Sequence, residues 1–530
     1  MRNFLSLCES AGFRTTFLGP AVAPKALVEA VVAEKPDIVA VSYRLTPEGA
    51  EHLFRELKDE IGRRGTTGAR FVFGGTPPVA KAAERSGIFD RVFSGAESVE
   101  DILAFIRGGR AGESRADYPG DLVSRIGLTR PVPLLRHHYG RPTLGETVAG
   151  AARIAEAGVL DILSLGPDQN AQESFFRPDE MDPGQDGAGG VPLRKPEDLS
   201  AIYEATRRGN FPLLRCYSGT RDLRKWAEMS VRTIRIAWGA IPLFWYSALD
   251  GRSRRSLAEA IAENLDVIGW YAGQGIPVEV NESHQWSLRD AHDALAVAMA
   301  FLAAYNAKKR GVRHYVAQFM FNTPRETSPM MDLAKMAAKR TMIEGLEDSG
   351  FAVFRQVRAG LASMPLDFDM AKGHLASSAT VSQALDPHIL HVVGYSEADH
   401  AITAEELIES CRIARGAVNN CLRGLPDMTA DPAVRKRKDE LMSEAGVLLE
   451  AIRQLGAGGS DDPWTDPGVL AAAVAEGVLD APHFQGSSVA RGAVVTRIID
   501  GACHAVDPET GKPMTESERL KRLRMMGAAL

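Results

Sequence analysis

Residues 35–48, KPDIVAVSYRLTPE, and residues 71–78, FVFGGTPP, decide how the first hundred residues fold. Asp37–Ser42 is a continuous apolar run bounded by Pro36 and by polar Tyr43-Arg44. A strand of that kind is buried between helices in a parallel sheet. Pro24–Glu34 and Pro47–Arg63, on either side, carry helical patterns. Arg70–Phe73 is a second strand, ending in Gly74-Gly75, and Val92-Phe93 is a third, followed by a helix over Val99–Ile106. Upstream, Arg2–Gly12 reads as a helix and Thr15–Leu18 as a short strand. Strands alternating with helices predict a parallel α/β sheet of flavodoxin-like (Rossmann-like) type. Such a domain normally begins with its innermost strand, whereas this one begins with a helix. The expectation is that the first strand, and the loop behind it, would lie before Met1.

Further along, Gly108–Gly120, GGRAGESRADYPG, reads as an exposed linker. Beyond it, eight strand candidates alternate with helical patterns. They are Val132–Leu135, Leu160–Leu165, Pro212–Cys216, Thr233–Ala237, Pro277–Asn281, His314–Phe321, Ala352–Val357 and Ile389–Gly394. That count predicts a (β/α)8 TIM barrel. The apolar run Leu243–Ser247 follows the fourth candidate too closely to be a strand and is placed in the loop above it. The expected division is 1–110 for the sheet domain, 118–425 for the barrel and 426–530 for a C-terminal extension packed on it.

The 530 residues are 45% hydrophobic and 25% charged, with a net charge of −6. Nothing here has the basic footprint of nucleic-acid binding. No apolar run reaches the roughly 18 residues of a membrane span, and the N-terminus does not read as a signal peptide. Cys8, Cys216, Cys411, Cys421 and Cys503 form no CxxC pair, so neither a zinc site nor a disulfide framework is predicted. A cytoplasmic protein is expected, with no nucleic-acid or membrane partner.

Ser42, Gly74, Gly75, Thr76, Ser94 and Gly95 fall just past strand ends, where open α/β sheets bind ligands. In the barrel segment, polar residues cluster at the same ends: Arg136-His137-His138, then Arg215, Cys216 and Tyr217, and Trp238, Trp245 and Tyr246 after strand four. Glu279, Asn281 and Glu282 end strand five, Arg355 and Arg358 strand seven, and Tyr395, Ser396 and Glu397 strand eight. Arg221 and Arg358 read as surface charges. His137 and His138 are adjacent on a strand and point to opposite faces, so they do not share a metal. No metal site is predicted.

The run AGFRTTFLGPAVAPKALVEAVVAEKPDIVAVS, then FGGTPP and SGAES, resembles the cobalamin-binding domain of methylmalonyl-CoA mutase, methionine synthase and glutamate mutase. The stretches IGWYAGQGIPVEVNE, DALAVAMAFLAAYNAKKRGVRHYVAQF, VVGYSEADHAITAEEL and AAAVAEGVLDAPHF resemble the large subunit of cobalamin-dependent glutamate mutase (methylaspartate mutase). That resemblance keeps its order over residues 130–530. It implies an adenosylcobalamin-dependent carbon-skeleton isomerase working by radical chemistry, with a small carboxylic acid as substrate. It implies that Ser42, Gly74 and Gly75, with Thr76, Ser94 and Gly95, line the pocket for the cofactor's nucleotide tail. Glu397 matches an acidic residue on the adenosine ribose and Glu282 a strand-five glutamate. His138 falls where the family has a substrate-binding arginine. Arg215 lies beside the position of another, with Tyr217 after it. Catalytic roles are therefore expected at Glu282, His138, Arg215 and Tyr217.

The Asp-x-His-x-x-Gly loop that carries the cobalt-ligating histidine is not found in this chain. The family's glutamate near Trp238 and its strand-eight lysine are also unmatched, with Val393 at the latter position. Histidine lacks the bidentate fork of arginine, so the expected substrate is not glutamate. Two alternatives stay open: a non-catalytic cobalamin carrier or sensor, and a cobalamin-independent barrel lyase or aldolase. A homo-oligomer or a small cobalamin-binding partner subunit is the expected association.

Overall fold

A computed structural model describes residues 4–5, 8–9, 13–43, 45–66, 68–95, 102, 105, 118–217 and 219–527. The chain divides into two compact units, Met1–Glu113 and Ser114–Leu530. The helices expected at 2–12 and 99–106, and most of the 108–120 linker, lie largely outside the described residues.

In the first unit, α1 (Pro24–Glu34), β1 (Ile38–Val41), α2 (Pro47–Arg64), β2 (Arg70–Gly74), α3 (Pro77–Ser86) and β3 (Arg91–Phe93) alternate. The strands are parallel, in spatial order β1-β2-β3. Each helix begins on a proline, whose missing N–H costs nothing in a first turn. Lys35, left-handed at φ 49°, ends α1. Val28, Val39, Val41, Phe54, Phe71 and Phe73 form the core, with the Phe54 and Phe73 rings edge to face at 5.2 Å. Residues 15–18 are not a strand; segment 13–19 has no regular structure. A strand needs a ladder, and among the described residues this segment joins none.

The second unit opens with α4 (Leu122–Thr129), capped by Asp121. Then follow β4 (Leu134–Tyr139), α5 (Leu144–Ala157), β5 (Ile162–Leu165), α6 (Gln169–Ser174), α7 (Pro196–Ala205), β6 (Leu213–Cys216), α8 (Leu223–Ile234) and β7 (Gly239–Ile241). Next come α9 (Leu257–Gly273), β8 (Val278–Val280), α10 (Ser283–Ser287), α11 (Asp293–Lys309), β9 (His314–Phe321), α12 (Pro329–Glu344), β10 (Ala352–Ala359), α13 (Phe368–Ser382), β11 (Ile389–His391) and α14 (Ala404–Leu422). The eight strands are parallel, in spatial order β6-β5-β4-β11-β10-β9-β8-β7. The barrel is nearly closed. Across the seam between β6 and β7, Ala237 N–H donates to Leu214 O at 2.8 Å.

Two expectations need correction. The fourth strand is Gly239–Ile241, not Thr233–Ala237. Leu223, Trp226, Ala227, Ser230 and Ile234 bury one helical face, so α8 runs through Thr233 to Arg235, which turns left-handed at φ 47°. Trp238 therefore precedes its strand instead of following it. Strand one is longer than expected and contains Arg136, His137 and His138 within its ladder.

The remaining elements are α15 (Pro432–Leu455), α16 (Pro467–Ala475), the antiparallel pair β12 (Thr496–Ile499) and β13 (Ala502–Ala505), and α17 (Glu516–Gly527). Helix α15 packs along α11 and α12, which is why α11 is buried nearly all round. Buried Asp293 ties these parts together. It accepts from Cys503 N–H at 3.0 Å and pairs with Lys335 of α12 at 3.0 Å and with Arg437 of α15 at 3.4 Å. No described helix is long and apolar enough to cross a membrane.

Candidate functional site

Side chains alternate across a strand, so every second residue of β4–β11 enters the barrel. Leu134, Ile162, Leu213, Ala240, Val316 and Ile389 form an apolar layer with Leu122 and Ile126 of α4. Two residues further along the strands the interior becomes polar. Arg136, Ser164, Arg215, Glu279, Gln356 and His391 are all buried there. One step above, His138, Tyr217 and Arg358 are only half-buried, as is Gln318, which pairs in register with Gln356. The interior is thus a buried polar floor under a rim that solvent reaches.

Arg136 is held on three sides. It donates to Ser164 Oγ at 2.7 Å, to Gln356 Oε1 at 2.5 Å and to His138 Nε2 at 2.7 Å. A guanidinium only donates, so His138 Nε2 accepts and its proton lies on Nδ1. That nitrogen stands 3.2 Å from Tyr217 Oη. Nδ1–H therefore donates to the phenol oxygen, leaving the phenol proton free to point elsewhere. Burial, and then Arg136, push the His138 imidazole well below its usual range, so it is neutral. His284 and His391 are pushed the same way, by burial first and nearby arginines after.

Glu279 is the floor's carboxylate. Trp238 Nε1–H donates to its Oε2 at 2.6 Å, and the same oxygen lies 3.5 Å from Arg215 Nη2 and 3.8 Å from Arg136 Nη1. Both guanidiniums also lie over the Trp238 ring, at 5.3 and 5.6 Å. Burial and neighbouring Arg215 lower Arg136 to about 9, still cationic at neutral pH. Arg358 is shifted down by burial, and its Nε–H donates to Ala359 O at 3.0 Å. Two guanidiniums thus flank Glu279, with Arg358 on the rim above. Several atoms in this layer are buried without a partner: Arg215 Nε and Nη1, Glu279 Oε1, Gln356 Nε2 and His391 Nδ1. Unpaired buried polar atoms are costly unless a ligand or water satisfies them.

The structure brings His138, Arg215 and Tyr217 together in this space, but not Glu282. Both Glu282 oxygens are engaged: Leu243 and Phe244 N–H donate to Oε2 at 3.0 and 3.2 Å, and Trp286 Nε1–H donates to Oε1 at 2.6 Å. It anchors the loop after β7. Glu397 accepts from Gly394 N–H at 2.6 Å and lies 3.4 Å from Nε2 of His137, on the face of β4 opposite His138. His137 holds its carboxyl below the usual range against the effect of burial. Arg355 pairs with Glu344 and Asp386 outside the barrel, and Arg221 pairs with Glu180. Arg358 corrects its reading as a surface charge. Arg136, Glu279, Gln356 and His391 had not been singled out for catalysis. The two-residue spacings Arg136/His138 and Gln356/Arg358 were the available signal.

In the first unit, Ser42, Gly75-Thr76 and Ser94-Gly95 follow the carboxyl ends of β1, β2 and β3 in turn, and Gly74, expected past its strand, is the last residue of β2. Ser42, Thr76 and Gly95 are exposed. A Cβ built on Gly74 or Gly95 would meet nothing within 4 Å, and Gly95 is left-handed at φ 91°. A Cβ on Gly75 would meet the Phe73 ring at 2.6 Å. Small residues and backbone at these strand ends leave room for a bulky ligand, so they fit the tail and ring edge of a corrinoid. An axial donor does not fit so well. The one histidine in residues 1–113 is His52, exposed on α2 and facing Glu56 at 3.5 Å. Among the described residues no group of three or more His, Cys, Asp or Glu could hold a metal ion.

Residues 2–104 match the family model of the B12 binding domain. The N-terminal unit is thus a B12-binding domain, and the chain has a cobalamin-related function. Among solved structures, 2,3-dimethylmalate lyase, described as a PEP mutase/isocitrate lyase superfamily member, is 13% identical. That match covers 62% of this chain and 97% of the other, with a TM-score of 0.28.

Proposed function

We propose that this chain is an adenosylcobalamin-dependent isomerase of the carbon-skeleton mutase type, acting on a small carboxylic acid other than glutamate. The observation that carries the reading is the barrel floor. It holds more buried guanidinium than carboxylate charge, and its Arg215 and Gln356 donors lack partners, in a chain that also carries a B12-binding domain. A carboxylate completes such a floor through charge-assisted hydrogen bonds. Arg215, with Nε and Nη1 free, is the principal clamp; Arg136 is already braced and supplies charge. Neutral His138 fixes the Tyr217 oxygen as an acceptor, so that the phenol proton can be given to a substrate oxygen. Ser42, Gly74, Gly75, Thr76, Ser94 and Gly95 would hold the cofactor's tail. Bound adenosylcobalamin supplies hydrogen-atom abstraction through homolysis of its cobalt–carbon bond. The protein's share is to orient the acid and keep water from it. A cytoplasmic location, and a homo-oligomer or a small cobalamin-binding partner subunit, accompany this reading.

The test begins with the intact chain titrated with adenosylcobalamin. Retention on a sizing column and a base-off absorbance spectrum are expected. Gly74→Phe, which has open space around its Cβ, should lower the affinity at least about tenfold without changing the melting temperature. Anaerobic electron paramagnetic resonance with candidate acids should then give a substrate-dependent paramagnetic signal. Retention without that signal would make the protein a carrier or sensor, and no retention would overturn the cofactor assignment.

A further inference from the structure

Glu279 leaves one specific requirement unmet. Its Oε2 accepts from the Trp238 indole N–H and lies beside two guanidiniums at 3.5 and 3.8 Å, while Oε1 is fully buried and accepts from nothing. Arg215, 3.5 Å from Oε2, carries unpartnered Nε–H and Nη1–H groups in the same layer. A bare carboxylate ligand satisfies Arg215 but brings no proton to Oε1, whereas a ligand that also carries a donor satisfies both. Two kinds are available, an ammonium and a hydroxyl. An ammonium would be one more cation beside Arg136 and Arg215, which already flank this carboxylate, with Arg358 on the rim above. A hydroxyl fills the vacant acceptor without adding charge.

We infer that the substrate is a hydroxy acid, its carboxylate on Arg215 and its hydroxyl donated to Glu279 Oε1. This deepens the proposed function and rests on its reading of the floor as an acid site. Glu279 is then the specificity-determining residue. A site built around a substrate hydroxyl discriminates strongly against an analogue lacking it, because its own polar group is left buried and unpaired.

The experiment is calorimetric titration of the intact, cofactor-free chain with two matched series. One is butanoate, 2-hydroxybutanoate and 2-aminobutanoate; the other is glutarate, 2-hydroxyglutarate and glutamate. Within the series that binds, the hydroxy acid should bind at least about tenfold tighter than the unsubstituted acid, as expected for a hydrogen bond to a charged group, and tighter than the amino acid. Glu279→Asp, which withdraws the carboxylate by one methylene, should erase the preference while binding of the unsubstituted acid persists. If that variant does not fold, the series on the unaltered chain decides alone. Equal binding of the hydroxy and unsubstituted acids, or preference for the amino acid, would overturn the inference and leave the acid site standing. If neither series binds, the acid-site reading itself falls, and the inference with it.

Discussion

Glu282 shows how a buried carboxylate can serve the scaffold instead of the chemistry. Burial pushes it up to about 8, although three N–H donors and Arg289 favour its charged form. In the unfolded chain it titrates near 4.5. Between these values the folded state holds a proton that the unfolded state has lost, so its ionisation costs stability as pH rises from about 4.5 to about 8. Glu282→Gln should flatten that decline, measured by urea unfolding across the window. The amide cannot accept equally from all three donors, so the variant should also be less stable at pH 5, by about 1–3 kcal/mol. Glu282 was legible in the sequence as a strand-five acid. That its oxygens are used up by Leu243, Phe244 and Trp286 was not, because two of those donors are backbone groups of another loop. His138 was also legible. Its tautomer was not, since that depends on Arg136 being pinned by Ser164 and Gln356.

At the scale of elements, close approach between α5 and β4 positions the arginine-bearing strand. A Cβ on Gly150 would lie 1.8 Å from Tyr139 Oη. Gly150→Ala should therefore destabilise by about 1–3 kcal/mol through overpacking, read by thermal unfolding. It should also weaken acid binding, because β4 carries Arg136 and His138. Helix α12 is locked to α11 by Lys335, which meets Asp332 at 2.8 Å, Asp293 at 3.0 Å and Thr323 O at 2.8 Å, all without solvent. Lys335→Met would strand two buried carboxylates and should cost about 3–5 kcal/mol in denaturant unfolding. Local patterns were enough to predict most of these helices. They failed at Thr233–Ala237, a short apolar run that suits a strand or a helix end equally well. The packing of Trp226, Ser230 and Ile234 chose the helix.

For the molecule as a whole, residues after 425 are part of the second unit and bear on the barrel's loops. Phe484 stacks on Trp245 at 6.1 Å and meets Trp286 edge to face at 5.7 Å, above the loop that Glu282 anchors. Phe484→Ala should cost about 3–5 kcal/mol and shift tryptophan emission to the red as Trp245 and Trp286 gain solvent.

The sequence by itself determined the class of each unit and the order of its elements. Buried strands and amphipathic helices carry their periods locally, and small residues past strand ends are readable wherever they fall. The tertiary structure alone decided the composition of the floor. Arg136 meets Gln356 across 220 residues and Trp238 meets Glu279 across 41. Which charges share a buried space depends on how eight strands are staggered around one axis, and no single segment encodes that stagger.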